Sequence, residues 1–288
     1  MLEFIIAFIA LWLLATRCRR NHPGMEQLRG WSYAHRGLHG PGVPENSMAA
    51  FRAALEGGYG VELDVHLLKD GNLAVMHDSL LNRTTGQAGR LEDLTTGELK
   101  NYCLEGTAET IPEFSEVLDL FRGRVPLIIE LKSTEENHAA LTEAACRMME
   151  GYSGPFCMES FDPRCVAWLR RNRPDIIRGQ LAENFFRSRS DLPDYLKFLF
   201  ANLLFNFLTV PDFVAYKYAD RSTTPSTAVC RKLWKAQGVS WTLRTREEYD
   251  TAVSEGWLPI FEGFLPKQED EIRSSGEPPL TVRDVPGV

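Results

Sequence analysis

Short β-type runs recur along this chain with a helical segment between nearly every pair, and that alternation restricts its fold more than any other property. The clearest run, residues 125–131, is almost continuously apolar, as a strand covered on both faces must be. Residues 60–68 alternate strictly, and Lys69-Asp70-Gly71 supplies a turn into a second extended run at 73–77. Further strand-like runs lie at 32–37, 156–161, 177–181, 213–216, 239–243 and 258–261. Helical stretches are expected at 47–55 (capped by Asn46 and stopped at Gly57-Gly58), 135–150, 164–171, 227–237 and 246–254. About eight strands alternating with helices predict a closed (β/α)8 TIM barrel rather than a doubly wound sheet. Residues 79–110 break the pattern with turn residues and one short helix, where Thr95 and Glu98 form a capping box. They predict a small insertion after the second strand, above the barrel rim. The barrel is assigned residues 30–288.

The first 20 residues stand apart. Every residue from Phe4 to Ala15 is apolar, and Arg17, Arg19 and Arg20 follow at once. A secretory signal carries its positive charge before the apolar run, so this order predicts a short N-terminal membrane segment with the barrel on the cytoplasmic side. At ~1.5 Å per residue the run is short against a hydrocarbon core of ~30 Å, which keeps an interfacial segment in play. Lys and Arg total 32 against 39 Asp and Glu, a net charge of −7 that lacks the footprint of a nucleic-acid binder. The six cysteines form no C-x-x-C pair, which fits neither a zinc site nor a disulfide scaffold and favours a reducing compartment.

The chemistry concentrates at the ends of the early strands. In Val61-Glu62-Leu63-Asp64-Val65 the period of two puts both carboxylates on one face; Glu130 and Lys132 likewise share a face in 127–132. The outer face of a barrel strand packs on helices, so these charged residues point inward, where unpaired carboxylates are costly. Three converging carboxylates, Glu62, Asp64 and Glu130, suit a hard cation, Mg²⁺ or Ca²⁺; the bland reading is a salt-bridge network with Lys132 and Arg36. His35 and His77 sit at strand ends beside this cluster and form a candidate acid–base pair, with Arg36 next to His35 offering a fork to a phosphate oxygen. His22, His39, His66 and His138 are read as non-catalytic.

His35-Arg36-Gly37, Pro44-Glu45-Asn46-Ser47 and Glu62-Leu63-Asp64-Val65 together resemble the glycerophosphodiester phosphodiesterase family. Lys69-Asp70-Gly71, His77-Asp78, Arg83-Thr84-Thr85, Glu130-Leu131-Lys132, Ser160-Phe161 and Trp241-Thr242 extend the likeness over residues 32–264. The resemblance implies a TIM barrel with a small insertion, a divalent metal, and hydrolysis of glycerophosphodiesters to glycerol 3-phosphate and an alcohol through a cyclic phosphate. It implies Glu62, Asp64 and Glu130 as metal ligands, His35 and His77 as the acid–base pair, and Arg36 and Lys132 on the phosphate. Glu45, Glu159, Trp241 and Glu262 are further candidates for substrate contacts. Many members end the last strand with an Ile-Thr-Asp-type run; this chain reads Ile260-Phe261-Glu262-Gly263-Phe264. The expected partners are a small glycerophosphodiester and a membrane surface, and an oligomer is compatible with the sequence. A lysophospholipase D or sphingomyelinase-D-like enzyme acting on acylated substrates is the close alternative, and a non-catalytic phosphate-binding protein the distant one. Residues 195–208, YLKFLFANLLFNFL, read as one helix with an apolar arc wider than the ~100° stripe that packing on a barrel needs.

Overall fold

The computed structural model describes residues 1–134, 136–188 and 191–266. Eight parallel strands close a ring: β1 (Tyr33–His35), β2 (Gly60–Leu67), β4 (Leu127–Leu131), β5 (Phe156–Ser160), β6 (Arg178–Ala182), β7 (Phe213–Lys217), β8 (Gln237–Leu243) and β9 (Trp257–Phe261). β1 pairs with both β2 and β9, which seals the barrel, while β3 (Leu73–Val75) runs antiparallel to β2 outside the ring. The helices are α1 (Leu2–Ala15), α2 (Met48–Glu56), α3 (Asn82–Thr85), α4 (Phe114–Phe121), α5 (His138–Met149), α6 (Pro163–Asn172), α7 (Asp194–Ala201), α8 (Asn206–Thr209), α9 (Pro225–Ala228) and α10 (Arg246–Ser254). The expected alternation therefore stands as a (β/α)8 barrel.

Departures from the expected elements have local causes. Ser47, not Asn46, caps α2: its Oγ accepts from the Ala50 amide, which leaves the Asn46 side chain free for another task. The helix expected at 227–237 is the short α9, entered through Pro225 with Thr224 as its cap, and a π turn over Val229–Leu233. The stretch 195–208 is two helices, because Leu203 turns to φ 56° and Asn206 is buried against the sulfurs of Cys18 and Cys230. α4, which the strand–helix reading left out, carries a capping box of Glu113 and Glu116. Residue 135, where the 135–150 helix was expected to begin, lies outside the described residues, as does the barrel's assigned tail beyond 266.

Residues 79–110 build a small satellite above β2 and β3, with α3, the 3-10 turns Leu91–Asp93 and Thr96–Asn101, and the expected Thr95/Glu98 capping box. Leu81, Leu91, Leu99 and Ile111 pack there on Met76 and Leu68 as a cluster of their own. At the opposite end of the barrel the 3-10 turn Pro23–Leu28 inserts Met25 and Leu28 among Tyr33, Ile128, Cys157, Phe213 and Ile260. That plug fills the N-terminal end of the strands and leaves their C-terminal end for the polar residues.

α1 projects eight large apolar side chains into the surroundings, from Leu2 to Leu14. Among the described residues no helix is long and apolar enough to cross a membrane. The arginines that follow α1 are partly structural. Arg19 makes a bidentate pair with the buried Asp212, and its Nη1 donates to the Pro174 carbonyl at 2.6 Å. Arg20 stacks over Trp234 and donates to the Leu233 carbonyl. Full burial along the chain begins at Thr16.

Candidate functional site

Neighbouring strands set acidic side chains at matching heights inside the barrel. Asp64 on β2 is in register with Glu130 on β4, which is in register with Glu159 on β5; His35 on β1 is level with Glu62. One oxygen from each of Glu62, Asp64 and Glu130 lies within 4.8 Å of the others. Lys132, just past β4, places Nζ 3.1 Å from Asp64 and 2.7 Å from Glu130. The turn after β1 brings the second cation. Arg36 and Gly37 both take positive φ, and a Cβ at Gly37 would lie 2.9 Å from the Ala50 backbone. That turn points the Arg36 amide at Glu62, to which it donates at 3.0 Å, and its guanidinium at Glu45 and Asp64.

Two cations facing four buried carboxylates leave a negative excess, and the electrostatics divide accordingly. Burial works against an ionised Asp64, yet Lys132 and Arg36, with a 2.8 Å hydrogen bond from Asn46 Nδ2, hold its pKa well below the usual range. Burial and the neighbouring carboxylates push Glu62 and Glu159 well up, and Glu130 up to about 7. Lys132 remains cationic because Asp64 and Glu130 outweigh the effect of its burial. A divalent cation fits this donor set: all its donors are oxygens, the carboxylates exceed the positive side chains, and Glu159 Oε2 is buried with no hydrogen-bond partner.

Each histidine is oriented by a carboxylate. Glu262 accepts from His35 Nδ1 at 2.6 Å, and Asp78 accepts from His77 Nδ1 at 2.6 Å, so each ring turns Nε2 away from its carboxylate. Burial lowers the pKa of His35, and burial with the Lys132 charge lowers that of His77 to about 4. Both rings are neutral at neutral pH. His66, read as non-catalytic, reaches the His77 carbonyl through Nε2 at 3.2 Å and Glu92 through Nδ1, which ties the His77 loop to the insertion.

A cavity of about 250 Å³ is lined by His35, Arg36, Glu62, His77, Glu130, Lys132, Glu159 and Trp241. Of the expected substrate contacts, Glu159 and Trp241 thus face it. Glu45 and Glu262 stand one layer back: Glu45 binds Arg36 and Arg83, and Glu262 binds His35 and Arg244. His77 lies two residues past the end of β3 rather than within it. Asn46, Asp78 and Arg83 were passed over as functional residues, although all three lie in the motifs. Arg83 cross-links Glu45 to Asp78, which joins the Arg36 side of the cavity to the His77 side.

Comparison with known proteins gives one answer throughout. The Glycerophosphoryl diester phosphodiesterase family matches residues 35–248. A glycerophosphodiester phosphodiesterase of Bacillus altitudinis is 43% identical over 129 residues, 42% of this chain and 52% of that protein. Human glycerophosphodiester phosphodiesterase 1 is 47% identical over 157 residues, 50% of this chain and 46% of that one. The matched stretch thus spans about half the length of these relatives. Among solved structures, an Oleispira antarctica phosphodiesterase in complex with the product sn-glycerol-3-phosphate superposes with a TM-score of 0.68 at 22% identity, covering 84% of this chain and 96% of that one. A Thermotoga maritima glycerophosphodiester phosphodiesterase gives 0.60 at 24% identity, over 80% and 93% of the two chains. These structural likenesses speak for the barrel.

Proposed function

Because the chain belongs to the glycerophosphoryl diester phosphodiesterase family, we propose that it hydrolyses a small glycerophosphodiester to glycerol 3-phosphate and an alcohol. The observation that carries the proposal is the pair of neutral histidines, each braced by a carboxylate, lining one cavity with Arg36, Lys132 and three clustered acids. The Oleispira antarctica relative, solved with sn-glycerol-3-phosphate, supports the choice of substrate class.

Arg36 and Lys132 bind the phosphate oxygens, the first as a planar fork and the second as a point charge. One neutral imidazole takes the proton of the attacking hydroxyl. The bound phosphate raises the proton affinity of the other ring, which protonates the departing alcohol. Over the whole reaction one P–O bond to the alcohol breaks, one P–O bond to water oxygen forms, and the water's protons end on the two products. Glu62, Asp64 and Glu130 would hold Mg²⁺ or Ca²⁺, which supplies Lewis-acid polarisation of a phosphate oxygen.

α1 is proposed to rest at a membrane surface with the barrel on the cytoplasmic side. Its exposed apolar side chains from Leu2 to Leu11 and the six free thiols support this. Release of free head group from glycerophosphocholine and glycerophosphoethanolamine, measured with and without a chelator, tests the activity. Metal-dependent turnover of at least one is expected; no turnover of any glycerophosphodiester with Mg²⁺ or Ca²⁺ present would overturn it. Loss of liposome co-sedimentation on deleting residues 1–15 tests the membrane reading.

A further inference from the structure

A second group of metal-ligating atoms converges beside the carboxylate cluster. One ring nitrogen each from His35 and His39 and one oxygen of Glu262 lie within 4.8 Å of one another. Ring closure builds the first half. β9 pairs with β1 so that Phe261 stands opposite Ala34, and the residues that follow, Glu262 and His35, meet. The loop after β1 builds the other half. There the Leu38 amide donates to the Ala50 carbonyl at 3.0 Å, and Gly40 and Val43 exchange two backbone hydrogen bonds around a Pro41-Gly42 turn with Gly42 at φ 83°. These two anchors fix the backbone of His39 between them. Its Nε2 is buried without a hydrogen-bond partner among the described residues, 3.8 Å from Glu262 Oε2. A ring nitrogen left unpaired in that way calls for a ligand to use it.

We propose that His35, His39 and Glu262 form an inhibitory site for Zn²⁺, separate from the all-carboxylate cluster. Two imidazoles and one carboxylate are a donor set for a borderline transition metal, as three carboxylates are for a hard one. Donors on a tetrahedral zinc at ~2.0 Å stand about 3.3 Å apart. Glu262 Oε2 lies 2.6 Å from His35 Nδ1 and 3.8 Å from His39 Nε2, distances that straddle that spacing. Seating the ion therefore asks for side-chain shifts of less than about 1 Å. Glu262 Oε1 is engaged by Arg244 Nε at 2.7 Å, which leaves Oε2 to the two rings. Binding at this site stands on its own geometry, whereas inhibition rests on the hydrolase reading. Zn²⁺ on His35 Nδ1 replaces the hydrogen bond to Glu262, and the proton of the neutral ring moves to Nε2. A ring in that state has no lone pair left at Nε2 to take a proton in the reaction. Three coordination bonds form and no oxidation state changes. Arg36, Lys132 and the three clustered acids keep their contacts, so zinc lowers kcat.

Turnover of glycerophosphocholine in saturating Mg²⁺ or Ca²⁺ would be titrated with Zn²⁺ in the wild-type chain and in His39→Gln, each normalised to its own zinc-free rate. The half-inhibiting Zn²⁺ concentration should rise at least about tenfold in the variant, since losing a ligand costs no less than losing a ligand's supporting partner. More Mg²⁺ or Ca²⁺ should not relieve the inhibition of the wild type. No inhibition, equal sensitivity of the two proteins, or relief by excess Mg²⁺ or Ca²⁺ would overturn the proposal. Occupancy has a readout apart from turnover. Co²⁺ added to the Mg²⁺- or Ca²⁺-saturated wild type should give a visible d–d absorption band that Zn²⁺ abolishes and that His39→Gln largely lacks. The same band in both proteins would remove His39 from the site. If the band behaves as expected in a protein that turns over no glycerophosphodiester, the metal site stands and the hydrolase reading falls.

Discussion

His35 and His77 each need a ring nitrogen presented at a fixed angle, and each obtains it from an acid that binds Nδ1. Replacing either histidine with alanine should lower kcat by about 10²–10⁴-fold with the barrel still folded, read by steady-state turnover and circular dichroism. A variant that keeps near-native kcat would remove that ring from the mechanism. The bracing acids make a finer test. Glu262→Gln and Asp78→Asn should cost about 10–100-fold in kcat with KM little changed, and Glu262→Asp should recover part of the loss. A KM effect alone would instead make Glu262 a substrate contact, the role assigned to it from sequence. That assignment shows where reading the chain stopped. Alternation along β9 puts residue 262 inward, but its partner His35 lies 227 positions away, a pairing that only ring closure creates. Asn46 was misjudged for the opposite reason: its cap role was inferred from a strictly local rule, and Ser47 takes that role instead.

Among the elements, the strands were legible because each is a short apolar or alternating run, and their inward face follows from the period of two. The 3-10 turn Pro23–Leu28 was not, since six residues carry too little periodicity to announce a plug. Its contribution is nonetheless large. Leu28 is 1% exposed at the bottom of the barrel, so Leu28→Ala should destabilise the fold by about 2–5 kcal/mol, read as a lower urea midpoint. A change below about 0.5 kcal/mol would mean that the plug does not close the barrel. Arg19→Ala tests the same end by charge. It removes the paired cation of Asp212, which is 3% exposed and, among the described residues, otherwise accepts a hydrogen bond from the Arg178 amide, at a cost of about 3 kcal/mol. The charge order after α1 was read as a membrane signal, but this arginine is bound to the barrel in any case.

For the molecule as a whole, the concentration of acids at one end of the barrel couples folding, protons and metal. Without metal, burial and mutual repulsion raise Glu130 from 4.5 to about 7 and push Glu62 and Glu159 the same way. A raised carboxyl pKa means that the folded state holds protons which the unfolded chain has released between about pH 4.5 and pH 7. The carboxyls therefore cost the metal-free protein stability as pH rises through that window, while the lowered pKa values of His77 and His35 act the other way up to about pH 6.5. The net fall is expected above about pH 6.5. Asp64 acts with the opposite sign, but its pKa is lowered, so its contribution is lost only in stronger acid. Metal binding needs the same carboxylates ionised, so it should release protons and weaken as pH falls below about 7. Thermal melts in chelator from about pH 6.5 to about pH 8 should then show a declining midpoint, and Mg²⁺ or Ca²⁺ should raise the midpoint most at the alkaline end. Calorimetry in buffers of different ionisation enthalpy would count the protons released. A metal-induced shift independent of pH, with no proton release, would place the cation somewhere other than Glu62, Asp64 and Glu130.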